Sequence, residues 1–163
     1  MIYSVKDALR NEGKQFEVLE TINLEPIDLN GMISFPEPVK VEGRFYYNGA
    51  SIEAKGTITF AYSTECDRCG EIYSKQMMID FNEIFTNEAT EDIESYPIVN
   101  AENIDFLPLV QDNILSSISI SRLCSEDCKG ICPYCGKNKN LTTCSCTPED
   151  DNNPFAVLRG LID

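Results

Sequence analysis

Apolar residues fall on alternate positions through much of the first half of the chain. Residues 15–24 show this period, which is typical of a strand with one buried face. Two further alternating stretches meet at Asn48-Gly49, a dipeptide that favours a type I′ hairpin turn. A fourth, at residues 73–85, follows the motif Cys66-Asp67-Arg68-Cys69. These stretches predict an antiparallel β-meander in which the cysteine motif replaces an ordinary hairpin loop.

Helical spacing replaces this alternation at three places. A capping pattern predicts a short helix at residues 5–12. Asp105 is placed to cap a longer amphipathic helix, and Pro108 is tolerated in its first turn. The apolar face of that helix is formed by Leu107, Val110, Ile114, Leu115 and Ile118. A short terminal helix is predicted behind Pro154, with the apolar residues Phe155, Val157, Leu158 and Leu161.

The middle of the chain is strongly acidic. Between Gln76 and Ser121 there are nine Asp and Glu residues and no Lys or Arg. Residues 87–103 within this stretch also lack a clear hydrophobic period, which is typical of a loop. The sequence therefore predicts an acidic loop at about residues 87–103, between the meander and the amphipathic helix.

The order of these elements indicates the α+β class. We expect an antiparallel β-meander, or a partly closed barrel-like sheet, with one covering helix. A zinc-bound cysteine-rich region and the short terminal helix would follow. Because 163 residues suffice for one domain-sized core, residues 1–121 are expected to form the β domain with its helix. Residues 122–163 are expected to form a zinc-binding extension packed on the same domain.

Composition and charge narrow the function classes. The chain has 27 Asp and Glu residues against 13 Lys and Arg, a formal net charge of −14. This charge disfavours a surface that adheres to nucleic acid or anionic lipid, and it favours basic partners. The chain has no histidine, which excludes His-based nucleophile pairs, His general bases and His metal ligands. No signal-like or membrane-spanning run is present, so we expect a cytoplasmic protein without a membrane partner.

Eight cysteines carry the chemistry of this sequence. In a reducing compartment cysteines are more often metal ligands than disulfides. A spacer of two residues, as in Cys66-x2-Cys69 and Cys132-x2-Cys135, lets one turn direct two sulfurs at one ion. We assign two zinc ions per chain, the first to Cys66, Cys69, Cys124 and Cys128, and the second to Cys132, Cys135, Cys144 and Cys146. The first site would join two segments that are far apart in the sequence, and the second would close a local ribbon-like loop.

A zinc ion held by four thiolates is coordinatively closed, so it holds structure and activates no water. The sequence therefore predicts a protein that is not an enzyme and has no small-molecule substrate. One catalytic alternative is an iron–sulfur enzyme, because Cys128, Cys132 and Cys135 have the C-x3-C-x2-C spacing that can hold a [4Fe–4S] cluster. A thioredoxin-like role for Cys66 and Cys69 is disfavoured, because both flanks of this pair are predicted strands.

Basic residues are concentrated near the second group of cysteines. Arg122, Lys129, Lys137 and Lys139 outnumber the two acidic residues of the stretch 122–146. These side chains would form either an RNA-contacting patch or an ordinary solvated surface around a zinc loop. Four thiolates and one Zn²⁺ contribute two negative charges, which cancel the local excess. The charge balance therefore favours the solvated surface.

Several short motifs follow one another along this chain in an order that is typical of one protein family. They are Cys66-Asp67-Arg68-Cys69 after a strand, residues 123–136, Asn140, Cys144-Ser145-Cys146 and Asn153-Pro154-Phe155-Ala156-Val157-Leu158. Together they resemble the YceD family, the large ribosomal RNA subunit accumulation proteins, over roughly residues 40–162. The resemblance implies a bacterial cytosolic protein that is needed for normal levels of large-subunit ribosomal RNA. It also implies a gene beside that of a small ribosomal protein of the same subunit.

The leading hypothesis is a non-catalytic, zinc-stapled factor for accumulation of large-subunit ribosomal RNA or for ribosome assembly. Its acidic surface would bind a basic large-subunit ribosomal protein before that protein meets RNA, because opposite charges speed encounter. Direct binding of ribosomal RNA through the lysines is a second hypothesis. An acidic binding module unrelated to ribosomes and the iron–sulfur enzyme are the remaining alternatives. No oligomeric state follows from the sequence.

Overall fold

The computed structural model describes residues 1–87 and 95–146, which form mainly β-structure with two helices. The strands are β1 (Ile2–Ser4), β2 (Phe16–Ile22), β3 (Ile27–Asp28), β4 (Met32–Ile33), β5 (Val39–Tyr47), β6 (Ile52–Glu65), β7 (Ile72–Thr86), β8 (Tyr96–Pro97) and β9 (Asn103–Asp105). The helices are α1 (Lys6–Arg10) and α2 (Phe106–Ser117). The predicted terminal helix at residues 155–161 and positions 88–94 of the predicted acidic loop lie outside the described residues.

The main sheet has the strand order β2-β5-β6-β7-β8. Strands β5, β6 and β7 form the predicted antiparallel meander, β2 pairs antiparallel with β5, and β8 pairs parallel with β7. A barrel would require β8 to pair with β2, but β2 pairs with β5, β8 pairs with β7, and the two do not pair with each other. Within the described residues the sheet is therefore open, and the barrel-like alternative is not formed. Two small two-stranded sheets, β1-β9 and β3-β4, lie beside it.

The alternating pattern of β6 shows why these residues form a sheet with one buried face. Ile52, Ala54, Ile58 and Phe60 are buried, and they share the period of two that places side chains on one side of a strand. β6 pairs with β7 along its whole length, as far as the pair Glu65 and Ile72. The motif between these two residues is thus held at the tip of the longest hairpin.

Phe106, the first residue of α2, is the centre of the hydrophobic core. Its ring centroid lies 5.5 Å from those of Tyr3 and Phe85, 6.3 Å from that of Phe81 and 6.4 Å from that of Phe45. These aromatic rings come from β1, β5 and β7, so the start of α2 packs against the inner face of the main sheet. The covering helix that the sequence predicts is therefore present.

Asp105 forms the predicted N-cap of α2. Its carboxylate accepts a hydrogen bond from the Leu107 backbone N–H at 3.0 Å. This bond satisfies one of the free N–H groups of the first turn. No helix in the described part of the chain is both long and apolar enough to cross a bilayer.

The β5–β6 hairpin forms where Asn48-Gly49 predicts it, but its loop has four residues, 48–51. The Asn48 side-chain oxygen accepts from the N–H groups of Ala50 at 3.0 Å and Ser51 at 2.8 Å. A type I′ turn needs positive φ at both central residues, whereas only Gly49 in this loop has one, at 94°. The predicted turn type is wrong because the Asn48 side chain takes over the role of a backbone turn.

Part of the predicted acidic loop is regular structure. Strand β8 pairs with Phe85 and Thr86 at the end of β7. A tight turn follows, in which the Val99 N–H donates to the Asn103 carbonyl at 2.6 Å. The described part of the predicted loop is therefore a short strand and a turn that leads into β9.

Candidate metal centres

The first cysteine pair lies at the tip of the β6–β7 hairpin. The backbone N–H of Cys66 donates to the Glu71 carbonyl at 2.9 Å, and the Gly70 N–H donates to the Cys66 carbonyl at 2.8 Å. Gly70 has φ 73°, a left-handed conformation that glycine adopts without strain and that turns the chain after Cys69. This turn directs the sulfurs of Cys66 and Cys69 toward one point.

Cys124 and Cys128 reach the same point from the segment after α2. Arg122 fixes this segment, because its N–H donates to the Asp67 carboxylate at 2.7 Å and its carbonyl accepts from the Asp67 N–H at 2.8 Å. The Arg122 guanidinium also donates to the Thr64 hydroxyl and to two carbonyls of the β3–β4 turn. Arg122 is therefore buried inside the fold, and it is not part of a basic surface patch.

The four sulfurs of this first group are spaced as metal ligands. Cys66 Sγ lies 3.8 Å from Cys128 Sγ, Cys69 Sγ lies 3.7 Å from Cys124 Sγ, and all four lie within 4.8 Å of one another. Zinc–sulfur bonds of about 2.3 Å make a tetrahedron with edges of about 3.8 Å. A disulfide needs sulfurs about 2.05 Å apart. The donor set therefore fits a soft, tetrahedral ion such as zinc.

The second group repeats the same knuckle turn. Its members are Cys132, Cys135, Cys144 and Cys146, whose sulfurs also lie within 4.8 Å of one another. The Cys132 N–H donates to the Lys137 carbonyl at 2.8 Å, and the Gly136 N–H donates to the Cys132 carbonyl at 2.9 Å. Gly136 has φ 71°, close to the value of Gly70 in the first knuckle. The two groups have the membership that the sequence predicts, while zinc binding by their cysteines stays a prediction.

Backbone N–H groups favour the thiolate form of the first cysteine in each knuckle. Burial raises the pKa of Cys66, but N–H groups of Cys124, Arg68 and Cys69 lower it more, to about 6. In the second group the N–H groups of Cys135 and Tyr134 lower the pKa of Cys132 to about 6. Such N–H to sulfur bonds are the outer contacts that stabilise thiolate ligands.

The other thiols of each group are harder to deprotonate, so all four can ionise together only if a cation balances their charge. The adjacent Cys128 sulfur raises the pKa of Cys124 to about 12, and the adjacent Cys135 sulfur does the same for Cys146. Like charges this close cannot all persist without compensation. A divalent ion would supply that charge and release the remaining protons.

A zinc ion held by all four sulfurs of either group would have no free position for a substrate. Each group supplies four thiol sulfurs, which complete the tetrahedral shell of a zinc ion. The iron–sulfur alternative requires Cys128, Cys132 and Cys135 to converge on one cluster. The structure places Cys128 in the first group and the other two in the second. This placement argues against that alternative.

The lysines of the region lie where the sequence predicts a solvated surface. Lys129, Lys137 and Lys139 are exposed on a short ribbon in which Ile131 pairs with Asn138. Two residues that support the first group were not predicted from the sequence. They are the buried Arg122 and the loop residue Asn138, whose roles depend on partners far away in the chain.

Comparisons with known proteins agree with these motifs. The sequence model described as "Large ribosomal RNA subunit accumulation protein YceD" matches residues 54–162. The uncharacterized protein YlbN of Bacillus subtilis (strain 168) is 32% identical over 129 residues, which cover 77% of this chain and 75% of YlbN. No solved structure matches the chain.

Two more distant relatives extend the comparison. The chloroplastic large ribosomal RNA subunit accumulation protein YCED homolog 1 of Arabidopsis thaliana is 21% identical over 155 residues, 76% of this chain and 48% of that protein. An uncharacterized protein of Mycobacterium tuberculosis (strain H37Rv) is 27% identical over 139 residues, 78% of this chain and 65% of the relative. The chain thus spans about half of the plant relative's length.

Proposed function

Because the chain belongs to the YceD family of large ribosomal RNA subunit accumulation proteins, we propose that it supports accumulation of that RNA as a non-catalytic binding factor in the cytoplasm. The family match is the observation that carries this proposal. It covers residues 54–162, which include both knuckle turns and the segment that joins them. The Arabidopsis relative is itself named for large ribosomal RNA subunit accumulation.

Two zinc ions would hold the functional surfaces in place. The first ion would be bound by Cys66, Cys69, Cys124 and Cys128, and the second by Cys132, Cys135, Cys144 and Cys146. Sulfur–sulfur distances of 3.7 and 3.8 Å in the first group support this assignment. The first ion would join the hairpin tip to the segment after α2, so its binding energy would add to the folding energy.

Absence of catalysis is part of the proposal. Four thiolates per ion leave no coordination position at which water or substrate would be activated. The chain has no histidine to act as a general base or as a nucleophile's partner. The function would therefore reside in surfaces that bind another macromolecule.

A basic protein of the large subunit is the partner that the charge favours. The net charge is −14, and the stretch between Gln76 and Ser121 has nine acidic residues and no basic ones. Asp80 on β7 and Asp112 on α2 are exposed members of this stretch. We call the stretch from Gln76 to Ser121 the acidic segment. Opposite charge would speed encounter with a basic protein and shield that protein from non-specific RNA binding.

RNA is the second candidate partner, and one observation favours it. Lys129, Lys137 and Lys139 are all exposed in one short ribbon. Against this stands the charge of two four-thiolate zinc centres, which would add four negative charges to the same region. We therefore place the protein partner first.

Crosslinking in cells tests the proposal directly. The protein is crosslinked in growing cells, and the bound protein or RNA is identified. We expect a basic protein of the large subunit, and we expect depletion of this chain to lower large-subunit ribosomal RNA. Crosslinks to RNA alone would favour the second candidate. Unchanged RNA levels on depletion would contradict the function itself.

A further inference from the structure

The loop between Cys135 and Cys144 contacts the first group, although both of its flanking cysteines belong to the second. The Asn140 side-chain NH₂ donates to Cys128 Sγ at 3.4 Å. Its side-chain oxygen accepts from the Lys129 N–H, which follows Cys128, at 2.8 Å. The Asn140 side chain, which belongs to the loop between Cys135 and Cys144, thus contacts the Cys128 sulfur of the first group and the backbone next to it.

Asn138 makes a matching contact at the other half of the first group. Its side-chain NH₂ donates to the Glu71 carboxylate at 3.2 Å. Glu71 in turn presents its backbone N–H to the Cys69 sulfur and its carbonyl to the Cys66 N–H. The loop therefore contacts the hairpin knuckle as well as Cys128.

The second group determines where this loop lies. The Lys139 N–H donates to the Gly130 carbonyl at 2.9 Å, and the Cys132 N–H donates to the Lys137 carbonyl at 2.8 Å. These bonds tie one side of the loop to the segment that leads into Cys132. The other side ends at Cys144, which a metal ion would bring to Cys132 and Cys135. Closure of the second group thus places the loop against the first.

We infer that the two metal sites are coupled, and that Asn140 is the positioning residue through which the second group raises the metal affinity of the first. This inference rests on the metal-binding part of the proposed function. An N–H bond to a ligand sulfur holds that sulfur in one orientation toward the ion. The coupling is reciprocal, so the first site raises the affinity of the second by the same factor.

Asn140→Ala tests the contact without touching a ligand. Asn140 is exposed, so its truncation leaves no cavity in the core. The protein is loaded with ¹¹³Cd²⁺, a soft ion that prefers the same thiolates, and NMR follows one resonance per site during competition with a chelator. We expect Asn140→Ala to weaken the first site on the order of tenfold. Leu141→Ala, an exposed change in the same loop, should alter neither site by more than about twofold.

Asn140→Asp tests the side-chain NH₂ group of Asn140, which donates to Cys128 Sγ and, within the loop, to the Asn138 side-chain oxygen at 2.9 Å. Aspartate keeps the acceptor for the Lys129 N–H, but it has no NH₂ group for Cys128. We expect the first site to weaken at least as much as in Asn140→Ala. A wild-type affinity in Asn140→Asp would show that Asn140 only supports the loop, and it would overturn the inference.

A double-mutant cycle tests the coupling itself. Removing the second group by Cys132→Ser with Cys135→Ser should weaken the first site, and adding Asn140→Ala should then change little. If Asn140→Ala weakens the first site by the same factor with and without the second group, the coupling through Asn140 is overturned. If the wild type binds two ions and Asn140→Ala binds them with the same affinities, this inference alone is overturned. A wild-type protein that binds no soft ion would overturn the zinc proposal together with it. Melting curves with excess metal confirm that each variant is folded.

Discussion

Arg122 shows how a single side chain can fix the position of a metal ligand. Its side chain is only 7% exposed, and the guanidinium donates to Thr64 and to backbone carbonyls of the β3–β4 turn. Its main chain pairs with Asp67 inside the first knuckle. Arginine suits this place because its planar group has five donors, whereas lysine offers a single point charge. The side chain thus joins three separate parts of the chain beside Cys124.

Arg122→Met should destabilise the protein by about 3 kcal/mol, because it removes a buried charge with several hydrogen bonds and leaves its carbonyl partners unpaired. Arg122→Lys should recover only part of this loss, since one ammonium cannot reach all the partners. Urea denaturation with metal present measures both variants. Arg44→Met, at an exposed arginine on β5, is the matched control and should be close to neutral. A loss below about 1 kcal/mol in Arg122→Met would contradict this role.

At the residue scale the sequence predicted what local spacing determines. The two knuckles follow from two-residue spacers, and the structure brings the eight cysteines together in the predicted groups. The role of Arg122 was not predicted, because its partners Gly31 and Asp67 lie 91 and 55 positions away. Nothing in the residues around Arg122 indicates such partners. A basic residue among lysines was therefore assigned to the surface.

At the scale of the elements, two glycines allow β5 and β6 to lie close beneath a ring of β7. Gly43 and Gly56 are cross-strand neighbours, and Phe81 packs over both. A Cβ at position 56 would lie 2.2 Å from the Glu42 carbonyl oxygen and 2.6 Å from the Gly43 Cα. Both atoms belong to the backbone and cannot rotate away. The pair therefore sets the close approach of the two central strands.

Gly56→Ala should destabilise the protein by about 3 kcal/mol, because the strands must separate to admit the methyl group. Thermal or urea unfolding measures the loss. Thr59→Ala, an exposed change three positions further along β6, is the control and should cost well under about 1 kcal/mol. Equal stability of the two variants would show that the strands can move apart freely.

The β5–β6 hairpin carries a pH-dependent contact at Glu53. The Glu53 carboxylate accepts hydrogen bonds from the Tyr46 hydroxyl, which has the largest effect, and from Asn48 and Lys55. Together these donors lower the pKa of Glu53 to about 2. Because the folded pKa lies below the usual value of 4.5, the contact stabilises the fold fully above that pH. This contribution is lost as the pH falls from about 4.5 toward 2.

Glu53→Gln should remove this pH dependence. The difference in melting temperature between wild type and variant is measured at matched pH values, so that effects of acid on the metal sites cancel. We expect wild type to be more stable at pH 6 and the difference to shrink steadily below pH 4.5. Glu37→Gln, at an exposed carboxylate before β5, should show no such trend. A constant difference across the range would contradict the contact.

Apart from the short α1, the elements that the sequence predicted are those long enough to show a period. β2, β5, β6, β7 and α2 each span seven or more residues, and all were predicted. β8 has two residues and β9 has three, so neither shows alternation. β9 pairs with the distant β1, and β8 pairs parallel with the end of β7 across the segment that was predicted as a loop. They were therefore assigned to a loop or missed.

At the scale of the whole molecule, the cysteine groups lie apart from the main core. Phe106 and its neighbours form one buried cluster, and Cys66, Cys69 and Cys128 form another. The main sheet should thus keep its own packing when metal is lost. This separation distinguishes the chain from small domains whose whole fold depends on zinc.

Elemental analysis of the reduced protein should give two zinc ions per chain, because the eight cysteines form two complete four-thiolate sets. Removal of zinc by a chelator should lower the melting temperature but leave the β-sheet circular dichroism signal largely intact. Cys66→Ser should lose one ion and reproduce part of this shift. One zinc ion in the wild type would eliminate the second site, and complete unfolding on chelation would contradict the independence of the core.

Charge is distributed unevenly over the molecule, and this distribution distinguishes the two proposed partners. A basic protein would be attracted to the acidic segment, whereas RNA would have to approach a chain of net charge −14 through three lysines. Exposed charges act mainly on the encounter rate, and salt screens them. Association kinetics over a salt series therefore reports which surface is used.

Four charge-neutralising changes in the acidic segment form the test variant: Glu88→Gln, Glu91→Gln, Asp92→Asn and Glu94→Gln, at positions outside the described residues. The control has the same net charge but changes exposed residues on or near β2 and β5: Glu12→Gln, Glu17→Gln, Glu25→Gln and Glu37→Gln. If a basic ribosomal protein binds the acidic segment, the test variant should associate more slowly and with weaker salt dependence than the control.

The lysine variant separates RNA binding from a general effect of charge. Replacing Lys129, Lys137 and Lys139 with Gln should leave association with the basic protein unchanged or slightly faster. For RNA, the same changes would reduce the slope of log affinity against log salt by nearly one for each phosphate that a lysine no longer neutralises. We expect the first pattern, since the net charge opposes approach to RNA. Tight RNA binding that the lysine changes abolish and the acidic changes spare would reverse the choice of partner.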